Sequence, residues 1–295
     1  MKVEDFEISK PDKVLYPDDD VTKGDVATHY AAVAEAMLPH LRDRPLTLRR
    51  YPDGIGGEGW FQKQAPDHLP DWIRVAEVPQ RSGGKGHYIV CDSRETLAYL
   101  ANQAALELHV WAATVAAPEH PDLVVIDLDP PDGMALKELR ATARQVRDLY
   151  EAVGLTPFVQ TTGGRGYHVV APLDGDTGVD EVREFAHEAA DHLAAQHPDR
   201  LTTVLRKEKR GDRLFLDANR NGYGQTFVTP YSLRARPSAP VAIPIEWSEL
   251  GNAEPAGWTV HTARRRLAQK ADPWRDMHRH AASAQRARER LRKLG

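Results

Sequence analysis

Cysteine is nearly absent from this chain. Cys91 is the single one in 295 residues, which excludes an internal disulfide framework and a zinc site built on cysteine, and fits a reducing cytoplasm. Long apolar runs are missing too, so no segment reads as a membrane span, and the N-terminal Lys2-Val3-Glu4-Asp5 is too acidic for a secretory signal. The chain is expected to be soluble and unprocessed. Nor is one sign of charge in large excess: the formal net charge of −4 argues against indiscriminate binding to nucleic acid. The sum hides local asymmetry, because Arg206-Lys207-Glu208-Lys209-Arg210 and the stretch from Arg264 to Arg292 are basic, whereas Asp18-Asp19-Asp20 is acidic.

The length suits one large domain or two small ones, with ample material for a core. Phe6-Glu7-Ile8 is a short apolar segment, followed by a polar loop through Lys13, Tyr16, Pro17 and Lys23. Thr22 with Asp25 three residues on is a variant of the capping box, and Val26, Tyr30, Val33, Ala34 and Met37 recur at helical spacing. Leu46-Thr47-Leu48 is strand-like, and the glycine-rich stretch from Gly54 to Gly59 is a loop delivering Trp60-Phe61. A second helix is predicted from Ser93, as cap, through Leu97, Leu100, Ala104, Leu108 and His109. Further helices are predicted over Leu136 to Val153 and Val182 to His197, with a strand-loop-strand from Phe158 to Val170 between them. The Arg-rich tail suits either a packed helix or a mobile basic arm. No repeat of supersecondary length appears.

Chemistry is concentrated where strands end. The apolar run Leu123-Val124-Val125-Ile126 closes on Asp127-Leu128-Asp129, and residues two apart on a strand share a face, so both carboxylates can converge on one site. Two like charges at close quarters need a cation between them. Hard divalent ions such as Mg²⁺ or Mn²⁺ take oxygen ligands, and phosphoryl-transfer sites commonly hold two ions roughly 3.5–4 Å apart. Leu214-Phe215-Leu216-Asp217 ends in a third acid, which either completes such a site or is a surface residue before the turn Ala218 to Gly222.

Thr162-Gly163-Gly164-Arg165-Gly166-Tyr167-His168 reads as a phosphate cradle. Glycines let backbone N–H groups approach an anion, Arg165 adds a fixed charge and His168 a further donor. It matches neither a Walker loop nor a dinucleotide fingerprint. Ser82-Gly83-Gly84-Lys85-Gly86-His87 has nearly the same composition, and either stretch can instead be a β-hairpin turn.

Several ordered segments together resemble the polymerase domain of bacterial ligase D, an end-joining polymerase of the archaeo-eukaryotic primase superfamily. They are Asp12-Lys13-Val14-Leu15-Tyr16-Pro17, Thr22-Lys23-Gly24-Asp25, Ala104 to His109, Ile126-Asp127-Leu128-Asp129-Pro130, Thr161 to His168, Leu216-Asp217, Pro230-Tyr231-Ser232-Leu233-Arg234 and Asp272-Pro273-Trp274. The resemblance spans nearly the whole chain. It implies an α/β (α+β) fold with a mixed, largely antiparallel sheet flanked by helices. It also implies one primase-polymerase catalytic domain over 1–295, with a DNA-contacting part at 1–60, a catalytic core at 61–250 and a C-terminal extension at 251–295.

The same resemblance implies the site. Asp127, Asp129 and Asp217 would hold two ions, Mn²⁺ or Mg²⁺, while Thr162, Gly163, Gly164, Arg165, Gly166, His168, Arg210 and Arg234 would bind the incoming triphosphate. His109 would contact the nucleotide's sugar; read alone, it is a satisfied core histidine on an apolar helix face. Lys13 and Lys23 would grip a 5′-phosphate across a gap as point charges. Trp60 and Phe61 would stack on or wedge against the template base, a contact worth roughly 1–3 kcal/mol per base; the alternative is that one of the two is a core residue, since adjacent residues on a strand face opposite ways. Where the family commonly has Ser and Lys, this loop has Thr162 and Arg165, which keep the hydroxyl and the charge.

The expected activity is template-dependent nucleotidyl transfer that fills short gaps and extends 3′ ends during double-strand-break joining, with ribonucleotides preferred. Expected partners are gapped or broken DNA, NTP or dNTP, a Ku-type end-binding protein and a separate ligase, near the nucleoid of a bacterial or archaeal cytoplasm and away from membranes. Ligase and phosphoesterase segments are absent from these residues, so a free-standing polymerase or an excised domain is expected. The alternatives are a primase-polymerase that starts strands de novo, against which the lack of a cysteine zinc motif argues, and a catalytically silent end-binding scaffold.

Overall fold

The computed structural model describes residues 1–3 and 6–294; Glu4 and Asp5 of the acidic N-terminal segment and Gly295 lie outside the described residues. The chain divides into two compact units, each assembled from discontinuous segments. The first comprises Met1–Trp111, Phe227–Ile243 and Ala256–Arg275, the second Ala112–Thr226, Pro244–Pro255 and Asp276–Gly295.

In the first unit, helix Lys23–Leu41 starts where the sequence signals it. The Thr22 hydroxyl accepts from the Asp25 amide, and the Asp25 carboxylate accepts from the Thr22 amide, so two end donors are satisfied reciprocally. Its stripe of Val26, Tyr30, Val33, Ala34 and Met37 is completely buried, and it packs against helix Arg94–Asn102. A four-stranded sheet runs in the order Thr226–Val228, Ala105–Trp111, Leu46–Arg50, Trp60–Gln62, with the last three strands paired antiparallel. The Ser82–His87 glycines form the turn of a separate hairpin, Val75–Pro79 with Lys85–Ile89.

The helix predicted from Ser93 to His109 is half helix and half strand. Ser93 does cap it, accepting from the Thr96 amide. It nevertheless stops at Asn102; Ala104 takes a left-handed φ of 53°, and Ala105–Trp111 is a strand. Leu106, Leu108 and Val110 alternate with Glu107 and His109, a period of two that pairing with Leu46–Arg50 selects over the looser helical spacing. His109 is therefore a strand residue.

His29, on the buried side of helix Lys23–Leu41, donates from Nε2 to the Tyr231 carbonyl at 3.0 Å. Burial lowers its pKa from 6.5 to about 4. The unfolded chain takes up this proton near pH 6.5 and the folded chain only near 4, so the contribution to stability is complete above 6.5 and is lost as pH falls through that window. By linkage the loss amounts to at most ~3 kcal/mol. Urea unfolding at pH 7 and pH 4.5 is expected to show a steeper decline for wild type than for His29→Gln; parallel declines would remove His29 as the cause.

The second unit is built on a six-stranded sheet in the order Leu201–Thr202, Leu214–Asp217, Leu123–Asp129, Tyr167–Pro172, Phe158–Thr161, Ile243–Ile245. The first pair is parallel, and the pairs around Leu123–Asp129 and Tyr167–Pro172 are antiparallel. Helices Leu136–Ala152 and Val179–Gln196 pack on it. The basic tail resolves into a packed helix, Ala284–Leu291. Arg288 donates to both Glu188 oxygens at 2.7 and 3.0 Å and pairs with Glu184 at 2.6 Å, and Arg292 also reaches Glu188. Those arginines hold the Glu188 carboxyl down at about 2.

Candidate functional site

Antiparallel pairing sets the acids in the second unit. Asp127 stands opposite Asp217 in the register, and Asp129 lies on the same face two residues further along. Asp217 is buried and also accepts from the Asn219 amide and side chain at 2.9 and 2.8 Å, so it both starts the following turn and faces its acidic neighbour. The strand bearing Asp127 is braced from one edge by Asn221, whose amide accepts from Val125 N and donates to Val125 O as another strand would.

Cationic side chains stand at all three carboxylates. Arg220 Nε lies 3.4 Å from Asp127 Oδ2 and 3.3 Å from Asp217 Oδ2. That nitrogen is buried without a hydrogen bond. Arg210 reaches Asp129 at 3.1 Å and Arg165 at 3.4 Å, while Arg165 also pairs with Asp132. Among the described residues no group of three or more His, Cys, Asp or Glu side chains gathers closely enough to hold a metal ion. An all-oxygen donor set with a guanidinium poised between two of its members still fits hard divalent cations, since the same field that holds Arg220 attracts them.

The loop between Phe158–Thr161 and Tyr167–Pro172 is a hairpin tied into this site. Thr162 donates through both its amide and its hydroxyl to Gly166 O, and its hydroxyl accepts from Gly164 N. Gly163 has φ +63°, and its amide donates to Pro255 O at 2.9 Å. A Cβ at Gly166 would collide with the Leu128 carbonyl oxygen, the residue between the two aspartates. At Gly83 and Gly84 a Cβ would meet nothing. The later loop is therefore packed against acidic chemistry, and the earlier one is an open turn. His168 is buried; Gln160, its cross-strand partner, donates to Nδ1 at 2.9 Å, which leaves the ring proton on Nε2, 3.5 Å from Asp127 Oδ1. The ring thus buttresses a carboxylate. Asp129, Asp132, Arg165, Lys207, Arg210 and Arg213 line a 240 Å³ cleft with their neighbours.

The first unit carries the remaining predicted residues. His109 hydrogen-bonds through Nε2 to Glu107 at 2.9 Å, and its ring meets Phe61 edge-on at 5.9 Å. Arg234 lies 3.2 Å from the same glutamate. Ser232 of the same segment accepts from Leu108 N at 2.8 Å, and Tyr16 donates to Arg234 O at 3.0 Å, so three of the sequence segments interlock here. Trp60 and Phe61 are both exposed, at 46% and 57%, so neither is a core residue; their strand is the edge of its sheet. Arg50 lies over the Trp60 ring and Arg49 over Phe61. Lys13 and Lys23 are brought together by the bond from Lys23 N to Lys13 O at 2.8 Å. Burial and then the charges of Lys13 and Lys10 lower the Lys23 pKa. Lys13 pairs with exposed Asp53.

Glu107, Arg49, Gln160 and Arg220 escaped the sequence reading. Glu107 and Gln160 carried the clearest signal: one lies two residues before His109 on a strand, the other faces His168 across a hairpin.

The model of the LigD primase-polymerase domain matches residues 22–274. The multifunctional non-homologous end joining DNA repair protein LigD of Mycobacterium tuberculosis is 38% identical over 252 residues, 82% of this chain and 33% of that protein. Its Pseudomonas aeruginosa counterpart is 35% identical over 273 residues, 91% and 32% of the two chains. Bacillus subtilis bifunctional LigD is 31% identical over 270 residues, covering 91% of this chain and 43% of that one. The chain thus spans about a third to two fifths of the length of these relatives. Among solved structures, the polymerase domain of Mycobacterium tuberculosis ligase D in complex with DNA superposes with a TM-score of 0.88 at 35% identity, covering 94% of this chain and 99% of that one.

Proposed function

From the premise that this chain belongs to the LigD primase-polymerase domain family, a family of nucleotidyltransferases, we propose that it fills short gaps and extends 3′ ends at DNA breaks, using ribonucleotides in preference to deoxyribonucleotides. The observation that carries this reading is the register pair Asp127 and Asp217, with Asp129 beside it and the Thr162–Gly166 loop packed on the intervening Leu128.

In the reaction a 3′-hydroxyl gives up its proton to solvent as its oxygen bonds to the α-phosphorus of the incoming nucleotide, the bond from that phosphorus to the bridging oxygen breaks, and pyrophosphate leaves with that oxygen. Little covalent work falls to the protein; positioning and charge neutralisation carry most of the catalysis. Asp127, Asp129 and Asp217 are the residues that would hold two Mn²⁺ or Mg²⁺ ions, whose chemistry is to neutralise charge on the attacking and leaving oxygens. Arg165 and Arg210, now on Asp129, are suited to phosphate oxygens, and Gly163, Gly164 and Gly166 shape the loop that presents Arg165, the first two with their amides already given to Pro255 O and the Thr162 hydroxyl. Thr162 shapes that loop from within, and His168 orients Asp127. In the first unit, Arg234 is assigned to the triphosphate and His109 to the sugar, Trp60 and Phe61 to template bases, and Lys13 with Lys23 to a 5′-phosphate. A Ku-type end-binding protein and a DNA ligase are the partners such a role requires.

The deciding experiment is primer extension on a gapped duplex, with or without a 5′-phosphate, supplying Mn²⁺ or Mg²⁺ and NTP or dNTP. NTP addition stimulated by the 5′-phosphate supports the reading; dinucleotide synthesis without a primer would favour a strand-initiating enzyme, and DNA binding without addition a scaffold. Lys23→Ala is expected to weaken binding of the 5′-phosphorylated gap about tenfold, the worth of a charge-assisted hydrogen bond, with little change on the unphosphorylated one. Equal loss on both substrates would remove the lysine from the phosphate.

A further inference from the structure

Asp127 and Asp217 each divide their two oxygens. Asp217 Oδ1 accepts from the Asn219 amide and side chain, and Asp127 Oδ1 faces His168 Nε2. The two Oδ2 atoms converge instead on one cation: Arg220 Nε lies 3.4 Å from that of Asp127 and 3.3 Å from that of Asp217. One guanidinium therefore stands against two carboxylates that the strand register sets opposite each other. Its backbone has little freedom. Arg220 sits in the short helical turn Asn219–Asn221, clamped on one side by the Asn219 bonds to Asp217 and on the other by Asn221, whose side chain donates to Val125 O and Ala218 O at 2.7 and 2.8 Å. The side chain is freer, being 40% exposed with no hydrogen bond at Nε. A guanidinium keeps its proton at any working pH, so it can leave the acids only by moving.

We propose that Arg220 is a displaceable counter-ion for Asp127 and Asp217: it neutralises the acid pair until a divalent cation takes the same two Oδ2 oxygens, and by competing for them it sets how tightly that cation is held. This rests on the assignment of the two acids to the ions made above. A hard divalent cation needs direct bonds to carboxylate oxygens, at roughly 2.0–2.1 Å for Mg²⁺. With the guanidinium still on those oxygens, like charges would crowd one small site, so the two occupants exclude each other. The exclusion is reciprocal: Arg220 weakens the cation's hold on the acids by the same factor as the cation weakens that of Arg220. Placing the arginine three residues after Asp217, on a turn pinned to the strand of Asp127, keeps the competitor within reach of both acids whichever occupant holds them.

The test measures Mn²⁺ binding to the full chain, without DNA or nucleotide, from the electron paramagnetic resonance signal of the free ion, for wild type, Arg220→Gln and Asp127→Asn. Arg220→Gln keeps a polar side chain and removes the charge. It is expected to bind Mn²⁺ about tenfold more tightly than wild type, within the usual range of coupling between two ligands, whereas Asp127→Asn is expected to lose the ion. Unchanged or weaker binding in Arg220→Gln, with loss in Asp127→Asn, would leave the acids assigned to the ions and overturn the role of Arg220. Binding undiminished in Asp127→Asn would overturn that assignment and the proposal with it. Independently of whether Arg220→Gln folds, the ¹⁵Nε–H resonance of Arg220 in the wild-type protein, identified by its loss in Arg220→Lys, is expected to shift as Mg²⁺ is titrated in, together with the amides of Asp127 and Asp217. An Arg220 resonance that stays in place while those amides shift would overturn the proposal; amides that stay in place as well would overturn the metal assignment beneath it.

Discussion

Asp127→Asn is expected to cut kcat for nucleotide addition by at least ~10³-fold, equivalent to roughly 4 kcal/mol of lost transition-state stabilisation, with the melting temperature maintained or raised. Both halves follow from one arrangement. Asp127 faces Asp217 across an antiparallel pair, and in the folded protein the two carboxylates are reconciled by Arg220 and His168. Replacing one anion with an isosteric amide relieves repulsion that the fold must otherwise tolerate, while removing the charge that draws a divalent cation. Single-turnover extension with saturating Mn²⁺, beside thermal unfolding, checks both. A variant that melts normally and still adds nucleotides at the wild-type rate would remove Asp127 from the chemistry.

Gly166→Ala is expected to have the largest structural effect of any single methyl group in the second unit. The added carbon would fall on the Leu128 carbonyl oxygen, with the Leu128 carbonyl carbon and the Pro130 ring behind it. A backbone oxygen in the middle of a sheet cannot rotate away, so relief requires displacing either the loop or the strand that carries both aspartates. Overpacking of this kind costs on the order of 3 kcal/mol, and the unfolded-state gain from Gly→Ala returns less than ~1 kcal/mol. For a chain of this size the net loss of about 2 kcal/mol corresponds to a drop in melting temperature of roughly 3 °C, together with loss of nucleotide addition. Gly84→Ala supplies the comparison. Its φ of +78° carries a backbone penalty of about 1–2 kcal/mol, but nothing lies within reach of the new Cβ, and catalysis should persist. Equal effects at the two glycines would show that conformation, rather than close approach, governs both loops.

Much of this was legible in the sequence because it depends on neighbours along the chain. The Thr22 cap and the buried stripe behind it are decided within one helix, and the alternation that brings Asp127 and Asp129 to one face is decided within one strand. The hairpin around Thr162 to Gly166 is similarly local. Lys13 and Lys23 needed only a short loop to bring them together. The boundary at Asn102 was not legible, since leucines at 97, 100 and 108 satisfy a helical period as far as His109. Only pairing with Leu46–Arg50 makes the period of two the better solution.

Residue types and spacing by themselves determined that this chain carries strand-terminal acids, a glycine-rich cationic hairpin and a family signature running almost end to end. Tertiary structure alone decided which cation stands on which acid, that His168 turns its proton toward Asp127, that Glu107 is the hydrogen-bond partner of His109, that both aromatics at 60 and 61 are exposed, and that the basic tail lies down as a helix on Glu184 and Glu188. The reason is physical: capping, turning and alternation are set by short-range backbone sterics and hydrogen bonding, whereas the partner of a charge is chosen by long-range register and by the cost of taking that charge out of water.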